Sequence, residues 1–480
     1  MTKIYNYIDG KFVDPSNGGT IDVFNPANGS VYATAPDSDS SDIQGAVDAA
    51  TAAFSSWATT SSEERSKIML KIADLIDENI EELAMAESID NGKPYWLAKK
   101  IDIPRASSNF RFFAHACTQF ASEAHETVEH SAINYTLRKP IGVVACISPW
   151  NLPLYLFTWK IAPALAAGNT VIAKPSEVTP MTAYMLCDIC TKAGLPKGVL
   201  NVVHGYGHKV GDAINRHVAI KAISFTGSTK VGSEIASIAA PMFKKISLEL
   251  GGKNPTLIFA DCNYDNMLEH VVRSSFSNQG QICLCGSKIY IEQTIYEKFK
   301  LDFVRRVQEL KVGHPADPTS KIGAVVSQPH MNKILSYIEL AQAEGGTILC
   351  GGQQIKPEGY ENGWYISPTV IEGLGPDCRT NKEEIFGPLV TIAPFITEDE
   401  VLALSNNSDY GLSCSIWTEN LSRAHRLARD IQVGIIWVNT WLLRDLRTPF
   451  GGMKNSGVGR EGGWEALRFF TDAKNVCIKF

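Results

Sequence analysis

Short apolar runs alternate with amphipathic helical patterns between about residues 140 and 250, and this alternation constrains the fold more than any other feature. The runs VVACISPW, TVIAKPS, LNVVHG, AISFTG and ISLELGG are typical of buried strands. The segments between them include IAPALAAG, MTAYMLCDICTKAG and KVGSEIASIAAP, which are typical of helices. Strands that alternate with helices need right-handed crossovers and form a parallel sheet. The sequence therefore predicts an α/β unit in this region.

A second alternation follows the glycine pair at residues 251–252. It starts with the strand pattern PTLIFAD and the helix pattern YDNMLEHVVRSSFSN, continues with SKIYIEQ and IYEKFKLDFVRRVQEL, and extends to GIIWVNT. Adjacent glycines are a natural hinge between domains. We therefore expect two doubly wound α/β domains that meet near residue 252.

The segments outside these two units are helical at the N-terminus and strand-like elsewhere. The first 120 residues or so predict two long helices, and the second opens with the capping-box pattern Ser61-Ser-Glu-Glu64 and runs to Gly92. The segments ETVEHSAINYTLRKP and TDAKNVCIKF are short strand patterns with no obvious partner nearby. Because exposed strand edges need to be covered, we expect these two arms to pair with another subunit.

Composition narrows the class of protein. A net charge of −6, with Lys and Arg scattered over 480 residues, offers no basic patch for nucleic acid. No run of about eighteen apolar residues is present, so no membrane-spanning helix is expected. The 11 cysteines, together with a start that lacks a secretory pattern, predict reduced thiols and a cytoplasmic protein. Cys187 and Cys190 lie in a helical pattern, where we expect buried thiols and no metal site.

A thiol and a carboxylate are the first candidates for chemistry. Cys283 follows the flexible, amide-rich turn NQGQ and is either a reactive thiol or a small buried residue, whereas Cys285 is interpreted as structural. Glu249 lies in the strand pattern ISLELGG, where burial is costly for a carboxylate without a function or a partner. It is either a general base with a raised pKa or a strand-end residue that reaches solvent. Together, such a thiol and base could form an acyl thioester and hydrolyse it.

Three further sites follow predicted strands. Asn151 could donate its amide hydrogen bond to an oxyanion, or it could be a simple turn residue between two prolines. Lys174 and Glu177 could hold the two hydroxyl groups of a ribose, or they could form a surface ion pair. The segment 227–232 opens a helix, and its backbone N–H groups could bind pyrophosphate.

Seven motifs, SPWNLP, AKPSE, FTGSTKVG, LELGGK, FSNQGQIC, EEIFGP and PFGGMKNSGVGRE, occur in this order over nearly the whole chain. Together they resemble the NAD(P)-dependent aldehyde dehydrogenase superfamily, for which LELGGK paired with GQxC is highly specific. The resemblance implies an α/β fold with a dinucleotide-binding domain (residues 1–121 and 141–251) and a catalytic domain (252–465). It also implies a small β oligomerisation arm (122–140 and 466–480) and a homodimer or homotetramer.

The resemblance implies roles for individual residues. Cys283 would attack the aldehyde, Asn151 and the Cys283 N–H would form the oxyanion hole, and Glu249 would activate the water that hydrolyses the thioester. Glu461 matches a second carboxylate that is sometimes assigned to proton relay. The residues implied in cofactor binding are Trp150, Lys174, Glu177, Gly227, Ser228, Gly232, Glu384 and Phe386.

Two acidic residues bear on the cofactor and on the fate of the acyl group. A carboxylate at the ribose, from Glu177, would repel a ribose phosphate, so NAD is expected to be favoured, while Lys174 leaves NADP open. Family members that pass the acyl group to coenzyme A usually lack the glutamate of LELGG. Glu249 therefore favours hydrolysis of the thioester to a free acid.

The substrate side departs from the common family pattern. The segments IDIPRASSNFRFFA and NTWLLRDLRTPFGG place Arg105 and Arg444 where tunnel-lining residues are expected. Two arginines that converge on a pocket suit a carboxylate, whereas surface arginines would pair with Asp102 or Asp445. WLLRDLRTPFGG also resembles the branch that oxidises 2-aminomuconic and 2-hydroxymuconic semialdehydes, which carry an aldehyde and a carboxylate.

Other interpretations remain open at this stage. The same branch includes relatives described for retinal, so an apolar aldehyde is the competing substrate, and Trp159 could line a tunnel for either. A non-catalytic structural relative would keep the fold without needing the site. The joint presence of Cys283, Glu249 and Asn151 argues against that class.

Overall fold

The computed structural model describes residues 1–480, and its first large element is an eight-stranded sheet. The five middle strands are parallel, and in chain order they lie 5-4-1-2-3 across the sheet. This is a doubly wound order, with its switch point between Val143–Ile147 and Ile220–Thr226, where ligands bind outside the carboxyl ends. Across the sheet the strands are Gly457–Val458, Lys245–Glu249, Ile220–Thr226, Val143–Ile147, Thr170–Lys174, Leu200–Val202, Asn6–Ile8 and Lys11–Val13.

Both faces of this sheet are covered. Val144 and Cys146 pack into one apolar core, while Val143, Ala145 and Ile147 pack into another, as the two-residue period of a strand requires. Such burial on both faces explains why the strand patterns are continuously apolar. The helices of this part of the chain are Ser40–Thr59, Ser62–Glu78, Ile80–Asn91, Tyr95–Leu97, Ile103–Thr118, Pro153–Ala166, Met181–Ala193, Asp212–Arg216 and Thr229–Ala239.

The second large element is a seven-stranded sheet, parallel except for one edge strand. Across the sheet the strands are Thr347–Cys350, Thr369–Glu372, Leu389–Phe395, Gly286–Glu292, Asn254–Ile258, Ser413–Trp417 and Ile435–Val438. The helices here are Tyr264–Phe276, Tyr296–Gln308, Gln328–Ala343, Arg379–Lys382, Glu398–Asn406 and Leu421–Asp430, whereas Gly463–Phe469 packs against helices of the first unit. Structure therefore confirms the two α/β units, and the late strand Gly457–Val458 returns to the edge of the first sheet.

The N-terminal helices differ from the prediction. The segment from Ser61 to Gly92 is two helices, because the chain leaves helical geometry at Asn79, and the helix Ile103–Thr118 adds another. Ser61 Oγ accepts the N–H of Glu64, which is half of a capping box. Gly92 ends the second helix with φ of 83°, a left-handed conformation that suits glycine.

The two arm segments pair with each other, a partner that the sequence did not show, and their pairing with another subunit stays a prediction. Thr471–Lys479 lies antiparallel to Ala132–Pro140, which also pairs with Ala124–Thr127. The sequence could not give this pairing because more than three hundred residues separate the two arms. The resulting three-stranded sheet keeps two free outer edges.

The remaining strands are short. They are Thr2–Lys3, Thr20–Asn25, Ser30–Pro36, Gln354–Ile355, Tyr365–Ile366, Tyr410–Gly411 and Met453–Lys454. None of the helices combines the length and the apolar character needed to cross a membrane. All 11 cysteines are free thiols, and Cys187, Cys190 and Cys285 are buried.

Candidate active site

The turn before Cys283 has an unusual backbone. Asn278, Gln279 and Gly280 have φ of 53°, 59° and 70°, three consecutive residues in the left-handed region. Such a backbone is costly for the two non-glycine residues, so it persists only where surrounding contacts hold it. A side chain at Gly280 is excluded, since a Cβ there would lie 2.2 Å from the carbonyl oxygen of Gly387.

Side-chain amides hold this turn in place. Gln279 Nε2 donates to the carbonyl of Ala324 at 2.8 Å, and Gln281 Oε1 accepts the N–H of Val326 at 3.0 Å. The turn is therefore fixed to the segment that precedes the helix Gln328–Ala343. The amide-rich composition that the sequence showed around Cys283 is explained by these contacts.

Cys283 lies at the end of this turn and is partly exposed. Its carbonyl accepts a hydrogen bond from Asn254 Nδ2 at 2.6 Å. Burial raises the pKa of the Cys283 thiol, and the nearby charges of Glu384 and Glu249 raise it further, while Arg444 lowers it. The thiol is thus protonated at rest and must lose its proton when it reacts.

Glu249 is the last residue of the strand Lys245–Glu249 and is 4% exposed. Neither carboxylate oxygen has a hydrogen-bond partner in the protein, and a Cβ at Gly451 would lie 2.7 Å from Oε1. Burial raises the pKa of Glu249 well above its usual 4.5, and the charge of Glu461 raises it further. A buried carboxyl with free oxygens and a raised pKa is suited to accept a proton from water.

Glu461 lies close to Glu249 but, unlike Glu249, accepts hydrogen bonds from the protein. Its Oε1 accepts hydrogen bonds from Lys160 Nζ at 2.7 Å and from Ser224 Oγ at 3.0 Å. Glu461 is therefore a paired carboxylate, whereas Glu249 is free to bind water or substrate.

Asn151 follows the strand Val143–Ile147, at the switch point of the first sheet. Its Nδ2 donates to the carbonyl of Gln281 at 2.9 Å, so one N–H of the amide links it to the turn before Cys283. An amide carries two N–H groups, and the second remains for a ligand. The side chain lines the same cleft as Cys283.

That cleft is a cavity of about 250 Å³ next to Cys283. Its walls include Trp150, Phe386 and His330, and the Trp150 ring meets the Phe386 ring edge-on with 5.3 Å between centroids. Phe386 has φ of 65°, and its carbonyl accepts a hydrogen bond from His330 Nε2 at 2.7 Å. Burial lowers the pKa of His330 to about 4, so the ring is neutral when it donates.

Gly227, Ser228 and Glu384 form the polar part of this cleft. Ser228 caps the helix Thr229–Ala239, where its Oγ accepts the N–H of Val231. The N–H of Gly227 donates to the Glu249 carbonyl at 3.1 Å, so the groups left for an anion are the N–H groups of the first helical turn, after Gly227. Glu384 Oε1 accepts the N–H of Gly252 at 3.0 Å, and burial raises the pKa of this carboxyl.

Three predicted cofactor residues lie outside the lining of this cleft. Lys174 is buried at the end of the strand Thr170–Lys174, and its Nζ pairs with Glu177 at 3.0 Å. The alternative that these two residues form a surface ion pair is therefore wrong as far as Lys174 is concerned. Gly232 donates its N–H to the Ser228 carbonyl and packs on Leu250. A Cβ there would lie 2.5 Å from Leu250 Cδ2, so this glycine serves close packing and has no free N–H for pyrophosphate.

A second cavity, which we call the substrate tunnel, contains Arg105 and Arg444. Arg444 Nη1 donates to the Tyr155 hydroxyl at 2.7 Å, and its guanidinium lies 3.9 Å from the centroid of the Phe450 ring. Arg105 lies 5.5 Å from the Tyr155 ring centroid, and its Nε and Nη2 atoms are buried without a partner. Burial lowers the pKa of Arg105, and the charge of Arg444 lowers it further, which shows that the two cations are close.

The surface-pair interpretation of these arginines is wrong. Asp102 contacts buried Lys93, and Asp445 pairs with Arg447. Neither acid forms an ion pair with Arg105 or Arg444, although Asp445 lines the same cavity and its charge acts on Arg105. The guanidinium of Arg105 keeps buried donors for a ligand.

Two aromatic residues lie next to these arginines. Trp159 is buried beneath Arg444, with 4.9 Å from the guanidinium carbon to its ring centroid, and it does not line the substrate tunnel as expected. Tyr155, which the sequence analysis missed, contacts both arginines. The signal was available: Tyr155 lies one helical turn before Trp159, on the same face of the helix Pro153–Ala166.

A doubly wound sheet with a cleft at its switch point, next to a thiol and a buried carboxylate, defines an α/β enzyme of the cysteine-dependent dehydrogenase class. The chain belongs to the aldehyde dehydrogenase family, whose model matches residues 12–476. The family and the enzyme class predicted from the sequence are thereby confirmed.

Relatives cover the chain from end to end. It is 48% identical to a 2-aminomuconic semialdehyde dehydrogenase from Bos taurus, over 100% of this chain and 99% of the relative. It is 44% identical to a 2-hydroxymuconic semialdehyde dehydrogenase from Pseudomonas sp. (strain CF600), over 100% of both. Among solved structures, PnpE in complex with nicotinamide adenine dinucleotide has a TM-score of 0.97 and 40% identity, covering 99% of this chain and 97% of that one.

Proposed function

We propose that this aldehyde dehydrogenase oxidises a semialdehyde that carries a carboxylate at its far end, such as 2-aminomuconic or 2-hydroxymuconic semialdehyde, to the corresponding dicarboxylic acid, with NAD as oxidant. The observation that carries the proposal is the pair Arg105 and Arg444 in the substrate tunnel, with guanidinium donors that no protein acid uses. The relatives that bear these substrates in their names support it.

The first half of the reaction uses three groups around the thiol. The Cys283 sulfur adds to the aldehyde carbon as a thiolate, and its proton passes to a nearby carboxylate, for which Glu249 is suited by its raised pKa and free oxygens. The second N–H of the Asn151 amide and the backbone N–H of Cys283 donate to the oxyanion of the hemithioacetal. Two such preorganised donors stabilise the charge as it develops.

The cleft fits NAD by its own groups. The N–H groups of the first turn of the helix Thr229–Ala239, which Ser228 caps, suit pyrophosphate, Gly227 leaves room beside them, and Glu384 offers a carboxylate for a ribose. Thr226 Oγ1, also in this cleft, is buried without a partner. Lys174 and Glu177 would hold the second ribose, with Glu177 disfavouring a ribose phosphate. When bound, NAD supplies the acceptor for the hydride of the substrate.

The second half of the reaction is hydrolysis. Once the proton taken from Cys283 has passed to solvent, Glu249 in its carboxylate form takes a proton from a water molecule. This water attacks the thioester carbonyl and releases the acid from the Cys283 sulfur. The oxyanion of this step uses the same donors as the first. Glu461, held by Lys160, keeps the pKa of Glu249 high and so favours its action as a base.

The substrate carboxylate would be held at the other end of the molecule. A carboxylate in the substrate tunnel can accept from both guanidinium groups, and the Tyr155 hydroxyl keeps Arg444 oriented. The rings of Phe450 and Trp159 stack against Arg444 and limit its motion. An apolar aldehyde would leave both cations unpaired, which lowers affinity.

Assembly and location complete the proposal. The arm sheet has two free edges, and exposed apolar side chains such as Ile478 and Phe480 lie on its outer strand and at its end. Pairing of these edges with a second copy would give a homodimer or a homotetramer in the cytoplasm. Analytical ultracentrifugation of the full chain and of a variant truncated before residue 471 tests the role of the arm.

The substrate proposal is tested by a matched pair of aldehydes. NADH formation is measured with a conjugated semialdehyde that ends in a carboxylate and with an aldehyde of equal length that ends in a methyl group. We expect a higher kcat/KM for the first, and no NADH from the Cys283→Ala variant with either. Equal or higher kcat/KM for the methyl-ended aldehyde would establish the apolar-aldehyde alternative instead.

A further inference from the structure

A cluster of three buried charges lies behind the active site, and the chemistry above does not use it. Lys93, Glu87 and Asp102 have side chains that are 0%, 0% and 1% exposed. Lys93 Nζ contacts Asp102 Oδ2 and lies 3.3 Å from Glu87 Oε1. Desolvation offsets most of the attraction within such a cluster, and apolar replacements are often as stable. Stability alone therefore does not explain it.

The cluster is built around the loop that carries Asn151. Lys93 Nζ donates a third hydrogen bond, at 3.2 Å, to the main-chain carbonyl of Asn151. Glu87 Oε2 accepts the N–H of Leu154 at 3.1 Å, at the start of the helix that follows this loop. The loop is thus held on both sides of Asn151 by the same buried cluster.

The other side of the same carbonyl faces the nucleophile turn. Asn278 Nδ2 donates to the Asn151 carbonyl at 2.9 Å and also to the Gln281 carbonyl at 3.2 Å. The Gln281 carbonyl in turn accepts Asn151 Nδ2 at 2.9 Å. A closed set of hydrogen bonds therefore links Lys93, Asn151 and the turn that ends at Cys283.

Geometry of this kind decides where the two oxyanion donors lie relative to each other. The amide of Asn151 is on one loop and the N–H of Cys283 is on another, and donors stabilise an oxyanion only within a narrow range of distance. Because Lys93 and Asn278 hold the peptide group of Asn151, they set the direction in which its side chain points. Asn91 Nδ2 also donates to this carbonyl, at 3.4 Å, but its shorter bond of 2.9 Å goes to the Trp150 carbonyl.

We propose that Lys93 is a positioning residue, which fixes the Asn151 peptide and so aligns the Asn151 amide with the Cys283 N–H for attack on the aldehyde. The inference rests on the proposed function, which assigns Asn151 to the oxyanion hole. Glu87 and Asp102 hold the Lys93 ammonium beside the carbonyl. Loss of Lys93 should therefore slow formation of the thioester without changing cofactor affinity.

A double-mutant cycle in the full-length enzyme tests this. The rate of the first-turnover NADH burst is measured for wild type, Lys93→Met, Asn151→Ala and the double variant, together with the dissociation constant for NAD. Each single change is expected to slow the burst about 10- to 100-fold, because misplacing a group by about 1 Å can cost that much. In the double variant the burst should be as slow as in Asn151→Ala alone.

Lys244→Met is the matched control, since Lys244 is also a buried lysine whose Nζ donates to two main-chain carbonyls, those of Asn215 and His217. Its burst rate should equal that of wild type. If Lys93→Met does not fold, Asn278→Gly replaces it in the cycle, because glycine accepts the φ of 53° at this position and only the donor is lost.

The possible outcomes distinguish failure of the positioning role of Lys93 from failure of the proposed function. An unchanged burst in Lys93→Met, or effects of the two changes that multiply, would overturn the positioning role while leaving the dehydrogenase intact. Absence of NADH formation by the wild type, with every aldehyde tried, would instead overturn the proposed function. A burst that is slow in Lys93→Met but no slower in the double variant than in Asn151→Ala supports the inference.

Discussion

The cleft that contains Cys283 and the substrate tunnel, which Cys283 does not line, are built in different ways. On the cofactor side, the cleft is lined by residues at the carboxyl ends of parallel strands and by loops with a constrained backbone. Phe386, for example, has φ of 65°. On the substrate side, the tunnel is walled by long side chains, and Arg444 is held only by one hydrogen bond and by aromatic faces. The first cavity follows from the fold, whereas the second follows from individual side chains.

This contrast separates general from particular chemistry. Backbone groups and strained turns cannot change without disturbing the sheet, so the cleft and the thiol turn suit a reaction common to a whole family. Side chains stacked on rings can be exchanged at little cost to folding, so the substrate tunnel is where selectivity resides. Changes on the two sides should therefore have separable kinetic effects.

The largest effect is expected from Glu249→Gln, which removes the buried base. Glutamine cannot accept a proton, so hydrolysis of the thioester should slow about 10²- to 10⁴-fold. The first-turnover NADH burst should slow less, because the thiol can also lose its proton to solvent, while steady-state NADH formation nearly stops, for carboxylated and alkyl aldehydes alike. Stopped-flow absorbance separates the two phases.

Glu384→Gln serves as the comparison for that variant, because it removes a carboxylate on the cofactor side. It should raise the KM for NAD and leave the ratio of burst to steady-state rates unchanged. If Glu249→Gln loses the burst and the steady state in equal measure, the base acts only on the thiol, and hydrolysis must depend on another group.

The next largest effect is expected from Arg444→Met and Arg105→Met. Each removes charged hydrogen bonds to the substrate carboxylate, worth roughly 2–3 kcal/mol, so kcat/KM for the semialdehyde should fall about 30- to 160-fold. The methyl-ended aldehyde should lose little, since it makes no such bond. Steady-state kinetics with both aldehydes at saturating NAD provide the measurement.

Arg111→Met is the matched control, because Arg111 lies on the same helix as Arg105 but pairs with exposed Asp74 and Asp77. It should leave both aldehydes unaffected. Equal losses for the two aldehydes in Arg105→Met would mean that this arginine supports the tunnel wall and does not recognise the carboxylate.

A smaller effect is expected from pH. Glu249 works as a carboxylate, and burial together with Glu461 raises its pKa well above 4.5, so the ionised fraction at a given pH is reduced. Steady-state turnover limited by hydrolysis should rise with pH, by up to about tenfold per unit below that pKa, and then level off. Glu461→Gln removes the repelling charge and should move the rise to lower pH. A profile that is identical in both enzymes would contradict the coupling.

Sequence reasoning was most successful where local chemistry is decisive. Continuous apolar runs gave the parallel strands, and the strand ends then gave the positions of Asn151, Gly227 and Glu249, because a doubly wound sheet collects these ends on one edge. It failed where contacts are distant along the chain. The arm strands pair across more than three hundred residues, which no local pattern reveals.

Misses within the site have the same cause. Lys93 follows a glycine at a helix end, and only folding brings its ammonium to the Asn151 carbonyl, 58 residues away in the sequence. Trp159 was expected to line the substrate tunnel, but it lies beneath Arg444. Every residue of the helix Pro153–Ala166 is buried, so the sequence pattern does not show which face of this helix meets the tunnel.

The smallest effect is expected from Glu177→Gln on the cofactor side. Glu177 pairs with buried Lys174 at 3.0 Å and is itself partly exposed, so solvent screens its charge. Removing that charge should raise kcat/KM with NADP by no more than about tenfold while lowering that with NAD by a similar or smaller factor. Asp188→Asn is the control, since Asp188 is an exposed acid on the helix that follows Glu177, Met181–Ala193, and pairs with Lys192 of the same helix. If the ratio of kcat/KM with NADP to kcat/KM with NAD is the same in both variants, Glu177 does not contact the ribose. The rigid cofactor cleft would then follow from the fold, but its choice between NAD and NADP would not follow from this motif.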